Sequence, residues 1–290
     1  MNYFNLLIVF LVLSGCKGQN YDFQLAEQKP DYKLSDDIGR ELINKSGNTI
    51  ATRILVPEGY SRVQTSENSF QHYLQHYTLK VYGSKIYTYT GEEFWAQDWH
   101  QGILDLDVPS NGLQQCADAL IRMRSEFLWQ QNRQSEIGFE FTSGHYCSWL
   151  DYAKGYRPNI RGNKVSFHKT KPENHSESNF YNYLNLIFNY SGTLSLYNEL
   201  EKIPLSEVTI GDMLVDPGTP GHINIIVDQA GDGIGNKIFA MVQGYTPAQS
   251  VCLLKNTVES SISPWYRFSE KQPVATPGYY FEEPIFIRFK

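Results

Sequence analysis

Gly211-Asp212-Met213-Leu214-Val215, a short reversal over residues 217–221, and then His222-Ile223-Asn224-Ile225-Ile226-Val227 form the stretch that decides the fold. The first run reads as a strand entered through a tight turn, and the second as its returning partner. Along the second run His222 and Asn224 point one way while Ile223, Ile225 and Val227 point the other, the period of two that a strand imposes. Asp232-Gly233 centres the next turn, and Lys237–Gln243 reads as the following strand. A hairpin symmetric about that Asp-Gly pair sets Gln243 across from His222.

Working outward, residues 113–131 contain no Gly or Pro and carry apolar residues at helical spacing, which predicts the principal helix. Cys116, Leu120, Met123 and Phe127 share one face of it and should pack inward, with Cys116 on the first turns. Upstream, residues 53–63 and 77–90 read as short strands broken by Pro57-Glu58-Gly59 and Gly83-Ser84, residues 69–76 as a helical turn, and residues 101–108 as a further strand. Downstream, Phe141-Thr142-Ser143-Gly144-His145-Tyr146-Cys147-Ser148-Trp149 is an aromatic segment, Arg161-Gly162-Asn163 a hairpin turn, and residues 178–201 one or two helices interrupted at Ser191-Gly192. The expected class is α+β: a mostly antiparallel sheet packed on the helix carrying Cys116, with a largely helical insertion at about residues 132–206.

The chain has 31 acidic against 25 basic residues and no basic stripe to neutralise a phosphate backbone, which argues against nucleic acid as a partner. At the N-terminus an apolar run over residues 6–13 ends in Leu13-Ser14-Gly15-Cys16. A membrane-spanning helix needs roughly 20 apolar residues, so this shorter run reads as a processed signal. The stretch resembles a bacterial lipobox, which implies a signal peptide over residues 1–15, a lipid on Cys16, and an envelope location, in the outer membrane and facing the periplasm or the surface. Residues 16–50 are polar enough for a tether, with one domain over residues 51–290. With Cys16 committed to lipid, Cys116, Cys147 and Cys252 are an odd set, so at least one is a free thiol or pairs between molecules.

A cysteine opening a helix, a Gly-Asp-apolar strand, a strand opening Gly-His-Ile-x-Ile-Val, and a polar residue on the next strand together resemble the core of the NlpC-type and CHAP-type amidases, which are papain-like cysteine peptidases. The stretches His-Gln-Gly-Ile-Leu-Asp-Leu-Asp-Val, Leu-Gln-Gln-Cys-Ala-Asp-Ala-Leu-Ile-Arg-Met-Arg and Pro-Gly-His-Ile-Asn-Ile-Ile-Val-Asp resemble the DUF4846 family of secreted bacterial proteins. So do Gln-Gly-Tyr-Thr-Pro-Ala-Gln and Ser-Pro-Trp-Tyr. That family brings no established activity. The papain-like resemblance implies Cys116 as nucleophile, His222 as the base that takes its proton, and Gln243 as the group that orients the ring. A helix N-terminus and an imidazolium should both lower the thiol pKa. Gln114 or Gln115 would join the Cys116 amide at the oxyanion.

Trp149, Tyr152, Tyr156 and Arg157 form a candidate substrate-facing loop, with Arg157 available to a stem-peptide carboxylate. His100, Asp105 and Asp107 lack further ligands at metal spacing, and His145-Tyr146-Cys147 is too sparse for zinc, so neither a metal nor a cofactor is expected. The leading expectation is a lipid-anchored, cysteine-dependent amidase or peptidase acting on peptidoglycan or a peptide. The alternative is an envelope binding or scaffold lipoprotein without turnover.

Overall fold

The structure, a computed structural model, describes residues 41–290. The signal segment and most of the tether, Cys16 included, lie outside the described residues. Packed chain begins ahead of Ile50: Leu42 and Ile43 are buried, and Ile43 bridges Ile54. Thr49 caps α1 (Ile50–Arg53), whose Arg53 is buried. Its guanidinium donates to the carbonyls of Gly47 at 2.9 Å, Gln101 at 3.3 Å and Lys80 at 3.0 Å, so one buried cation joins three separate stretches of chain. Only Ser61–Arg62 (β1) of the strand expected over residues 53–63 forms, because Pro57 and Gly59 break the rest.

Ser69 caps α2 (Phe70–Gln75), the expected helical turn. Residues 77–90 make isolated bridges rather than strands, and the strand expected over residues 101–108 is the shorter β2 (His100–Ile103). The principal helix is α3 (Cys116–Gln130), and all four residues of its expected inward face are buried. Its N-terminus is closed by the Gln115 N–H donating to Asp118 Oδ2 at 3.0 Å, with the carboxylate placed where the helix dipole favours it.

The segment after α3 is mixed rather than largely helical. It holds two hairpins, β3 (Gly138–Glu140) with β4 (Tyr146–Ser148) and β5 (Tyr156–Arg161) with β6 (Lys164–Lys169), and between them α4 (Trp149–Ala153). The β5–β6 turn falls at Gly162-Asn163 as expected, with Gly162 at φ +58°. Helices α5 (Glu177–Tyr190) and α6 (Thr193–Glu199) follow, parted at Ser191-Gly192.

After β7 (Glu201–Ile203) come β8 (Asp212–Asp216), β9 (His222–Gly231), β10 (Lys237–Gln243) and β11 (Cys252–Leu254). The small hairpin β12 (Val274–Thr276) with β13 (Tyr279–Phe281) precedes the last strand, β14 (Ile285–Arg288). One antiparallel sheet runs β2-β11-β10-β9-β8-β14-β7, with β1 also paired to β9. The fold is mixed, mostly antiparallel sheet with few helices. From His222 to Ala230 every residue of β9 is buried, so the strand is covered on both faces and its near-continuous apolar run is what such a position demands. Asp228 interrupts that run and is neutralised: Arg62 Nε donates to Oδ2 at 2.8 Å and Gln75 Nε2 to Oδ1 at 2.7 Å, while Arg62 Nη2 holds the Ile54 carbonyl at 2.7 Å.

Ile225 sits between Met213 and Val242 in this sheet and is fully buried. Ile225→Ala should cost about 2–5 kcal/mol in urea denaturation, the range for a cavity in a packed core. Ile234→Ala, at a side chain 87% exposed in the β9–β10 turn, should stay within about 0.5 kcal/mol of wild type.

Candidate active site

The first turn of α3 lies directly on the end of β10, and Gly244 permits it. A Cβ at position 244 would stand 2.8 Å from the Gln115 carbonyl oxygen, 3.1 Å from Ala119 Cβ and 3.4 Å from Cys116 Cα. Gly221 permits a separate close approach at the entry to β9, to α6 and β8, where a Cβ would meet Thr193 Oγ1 at 2.5 Å and the Asp216 carbonyl oxygen at 2.8 Å. Cys116 opens α3 at the first of these approaches. The backbone N–H groups of Cys116 itself, Ala117 and Ile223 face its sulfur, and Ile223 immediately follows His222.

The His222 ring is buried with Nε2 2.8 Å from Gln243 Oε1. Gln243 Nε2 donates to the Pro277 carbonyl at 3.1 Å, which fixes the amide so that its oxygen faces the ring. The His222 proton then sits on Nε2, donated to Gln243, and Nδ1 keeps the lone pair of a base. Tyr279, Tyr245 and Phe281 pack around the imidazole at centroid distances of 4.8, 5.5 and 6.0 Å. Tyr279 is itself held by donating to Asp216 Oδ2 at 2.6 Å, and Tyr245 by donating to the Gly278 carbonyl at 3.0 Å.

The pairing of His222 with Gln243 is made differently from the symmetric hairpin. The β9–β10 turn spans residues 232–236, and a bulge between Ala240 and Met241 shifts the register, so the ladder ends with Val242 opposite Ile225. Gln243 thus follows beside Asn224, two residues along from His222 on the same face, and the long amide reaches the ring diagonally.

Electrostatics correct the expected low thiol pKa. Burial, and then the neighbouring Asp118 carboxylate, push Cys116 up to about 11 against the three N–H groups that favour the anion. Burial likewise pulls His222 down to about 4, although Gln243 and Asn224 both favour its charged form. At neutral pH the resting pair is thiol and imidazole, because desolvation outweighs the helix dipole. Cys147 and Cys252, also buried and free, are pushed up further, each to about 12. Asp118 is raised to about 7 by burial, and its Oδ1 has no partner.

Of the two oxyanion candidates, Gln114 is buried with Oε1 accepting from Arg122 Nη1 at 2.7 Å and an Nε2 that has no partner. Gln115 Oε1 accepts from Thr246 Oγ1 at 3.0 Å beside the Cys116 turn. The four residues of the expected substrate loop are not brought to Cys116. Trp149 is buried against Trp129, Phe180 and Tyr183, and Trp129 lies 13 residues along α3 from Cys116, about 20 Å at the helical rise. Tyr152 is buried beside it, with the Arg157 guanidinium 3.4 Å from its ring centre. Arg157 is satisfied locally by the Tyr152 and Tyr156 carbonyls at 2.6 and 2.7 Å, and Tyr156 stays half exposed on β5.

Asp105 instead lines a separate cleft of about 470 Å³ with His72, His76 and Glu126. Among the described residues no three His, Cys, Asp or Glu side chains group as metal ligands.

Residues 50–288 match DUF4846, a domain of unknown function (4846). The chain belongs to the DUF4846 family. No curated protein and no solved structure matches it. Within this DUF4846 domain, sequence reasoning missed Asp118, Gly244, Tyr245 and Tyr279. Gly244-Tyr245 directly follows Gln243, so a glycine next to an expected site residue was the available signal for a close backbone approach.

Asp118→Asn tests the electrostatics while keeping an acceptor for the Gln115 N–H. The raised pKa means that protonated Asp118 stabilises the fold fully below about pH 4, its unfolded value, and that this is lost as pH rises through about 7. Wild type should therefore lose stability between about pH 4 and 7 relative to the variant in denaturant melts, and no more above that. Iodoacetamide labelling of Cys116 at pH 8 should be about three- to tenfold faster in Asp118→Asn, since the repelling carboxylate is gone.

Proposed function

We propose that this protein is a cysteine-dependent amide hydrolase of papain-like design, acting on peptidoglycan or a peptide in the cell envelope. The observation that carries the reading is the His222–Gln243 hydrogen bond, fixed by Pro277, beside a cysteine whose sulfur faces the next backbone N–H of the same strand. In this reading His222 Nδ1 takes the Cys116 proton as the sulfur attacks the scissile carbonyl carbon. A neutral resting pair calls for proton transfer together with attack rather than a standing ion pair. The tetrahedral oxyanion is met by the Cys116 amide, with Gln114 or Gln115 as the second donor. The C–N bond then breaks, the leaving amine takes the proton from His222, and water activated by the same ring releases the acyl group from sulfur and restores the thiol.

A binding or scaffold lipoprotein without turnover is the second reading. Burial of Cys116 favours it, because a buried free thiol is ordinarily inert.

Digestion of isolated peptidoglycan and of its soluble muropeptides, followed by mass spectrometry, separates the two. Wild type should release new amine and carboxyl termini and Cys116→Ala none. Gln243→Ala should lower kcat about tenfold or more while costing only about 1–3 kcal/mol in a parallel melt, since it loses ring orientation and two hydrogen bonds. No product from wild type, or full activity in Cys116→Ala, rejects the hydrolase reading.

The envelope location rests on the lipobox resemblance at Leu13-Ser14-Gly15-Cys16. No helix among the described residues is long and apolar enough to cross a membrane. Cys16→Ala should move the protein from the detergent phase to the aqueous phase in Triton X-114 partitioning without changing its melt. Equal partitioning of both forms rejects lipid attachment.

A further inference from the structure

An aromatic path leads from the protein surface to the His222 ring. Trp95 is 77% exposed, and its ring meets Trp99 edge-on at a centroid distance of 5.1 Å. Trp99 meets Tyr245 at 5.2 Å, and Tyr245 meets His222 at 5.5 Å. The path is built rather than incidental. The Trp99 indole occupies the space that a side chain at Gly278 would fill, and the Tyr245 hydroxyl is anchored on the Gly278 carbonyl. Phe94 is buried beneath all three rings, at 5.3 Å from Trp95, 5.5 Å from Trp99 and 6.0 Å from Tyr245. An indole this exposed on a rigid base loses little conformational freedom when it binds, which is why such groups anchor ligands.

The surroundings define what fits. The Trp95 loop carries exposed Glu92 and Asp98, while its third carboxylate, Glu93, is already paired with Lys85 at 2.6 Å. Thr246 and Gln115 add a hydroxyl and an amide where the path reaches the first turn of α3. Carboxylates and neutral polar groups around an indole disfavour an anionic polymer. They suit a ring with a C–H face to lie on Trp95 and hydroxyls and amides at its edge.

We propose that Trp95, Trp99 and Tyr245 form a glycan subsite for an N-acetylated sugar chain, which delivers the attached peptide to Cys116. The proposal deepens the hydrolase reading by naming the sugar part of its substrate, and it rests on that reading for the direction in which the chain lies.

Isothermal titration calorimetry on the full chain carrying Cys116→Ala tests it without turnover, with the β-1,4-linked tetramer of N-acetylglucosamine as probe. Saturable binding is expected. Trp95→Ala should weaken it at least about tenfold, equivalent to about 1.4 kcal/mol, and Ile234→Ala, in the β9–β10 turn, should leave it unchanged. A thermal melt confirms that each variant is folded. No saturable heat up to millimolar tetramer, equal affinity in Trp95→Ala, or binding of tri-lysine in place of the tetramer overturns the subsite. Sugar binding by a protein whose wild type releases no peptide rejects the hydrolase reading alone. Peptide release without sugar binding rejects the glycan subsite alone.

Discussion

The candidate site depends on one close approach, that of the first turn of α3 to the end of β10 across Gly244. Helix and sheet ordinarily keep a layer of side chains between them. Here the helix backbone touches the strand backbone, and Cys116 comes level with the start of β9. A side chain at 244 would have no room unless the first turn of α3 moved away.

That closeness has an electrostatic cost. The packing that buries the thiol and the imidazole also dries them, and drying disfavours both charged forms. Asp118 adds to this from within the helix: it closes the α3 N-terminus through the Gln115 N–H, yet its charge opposes a thiolate two residues away. One carboxylate thus supports the helix and disfavours the thiolate. At rest the thiol and the imidazole are both neutral.

Much of this was legible in the sequence wherever local rules act alone. The β8–β9–β10 strands, the α3 helix with its buried Cys116 face, and the break at Ser191-Gly192 follow from periodicity and from turn residues. The pairing of His222 with Gln243 came from a symmetric turn, whereas the structure reaches it through a five-residue turn and a bulge. Two displacements left the same face aligned. What was not legible was long range. Trp149 and Tyr152 read as a loop for substrate because aromatic residues serve cores and surfaces alike, and only α5 packing shows that they belong to the core. Trp95 and Trp99 carry no local mark either; their place beside Tyr245 is set by residues about 150 positions further along.

The Asp228 cluster has a mechanical consequence. Strand β9 is gripped at opposite ends by different parts of the chain: His222 opens it beside α3, and Asp228 near its far end is tied to Arg62 and Gln75. The first described residues join the domain through the Ile43–Ile54 bridge and the Arg53 carbonyl clasp, and Arg62 in turn holds the Ile54 carbonyl. A pull from the N-terminal side is therefore delivered to the end of β9 remote from the imidazole. The load is shared along the ladders on both sides of the strand before it reaches His222.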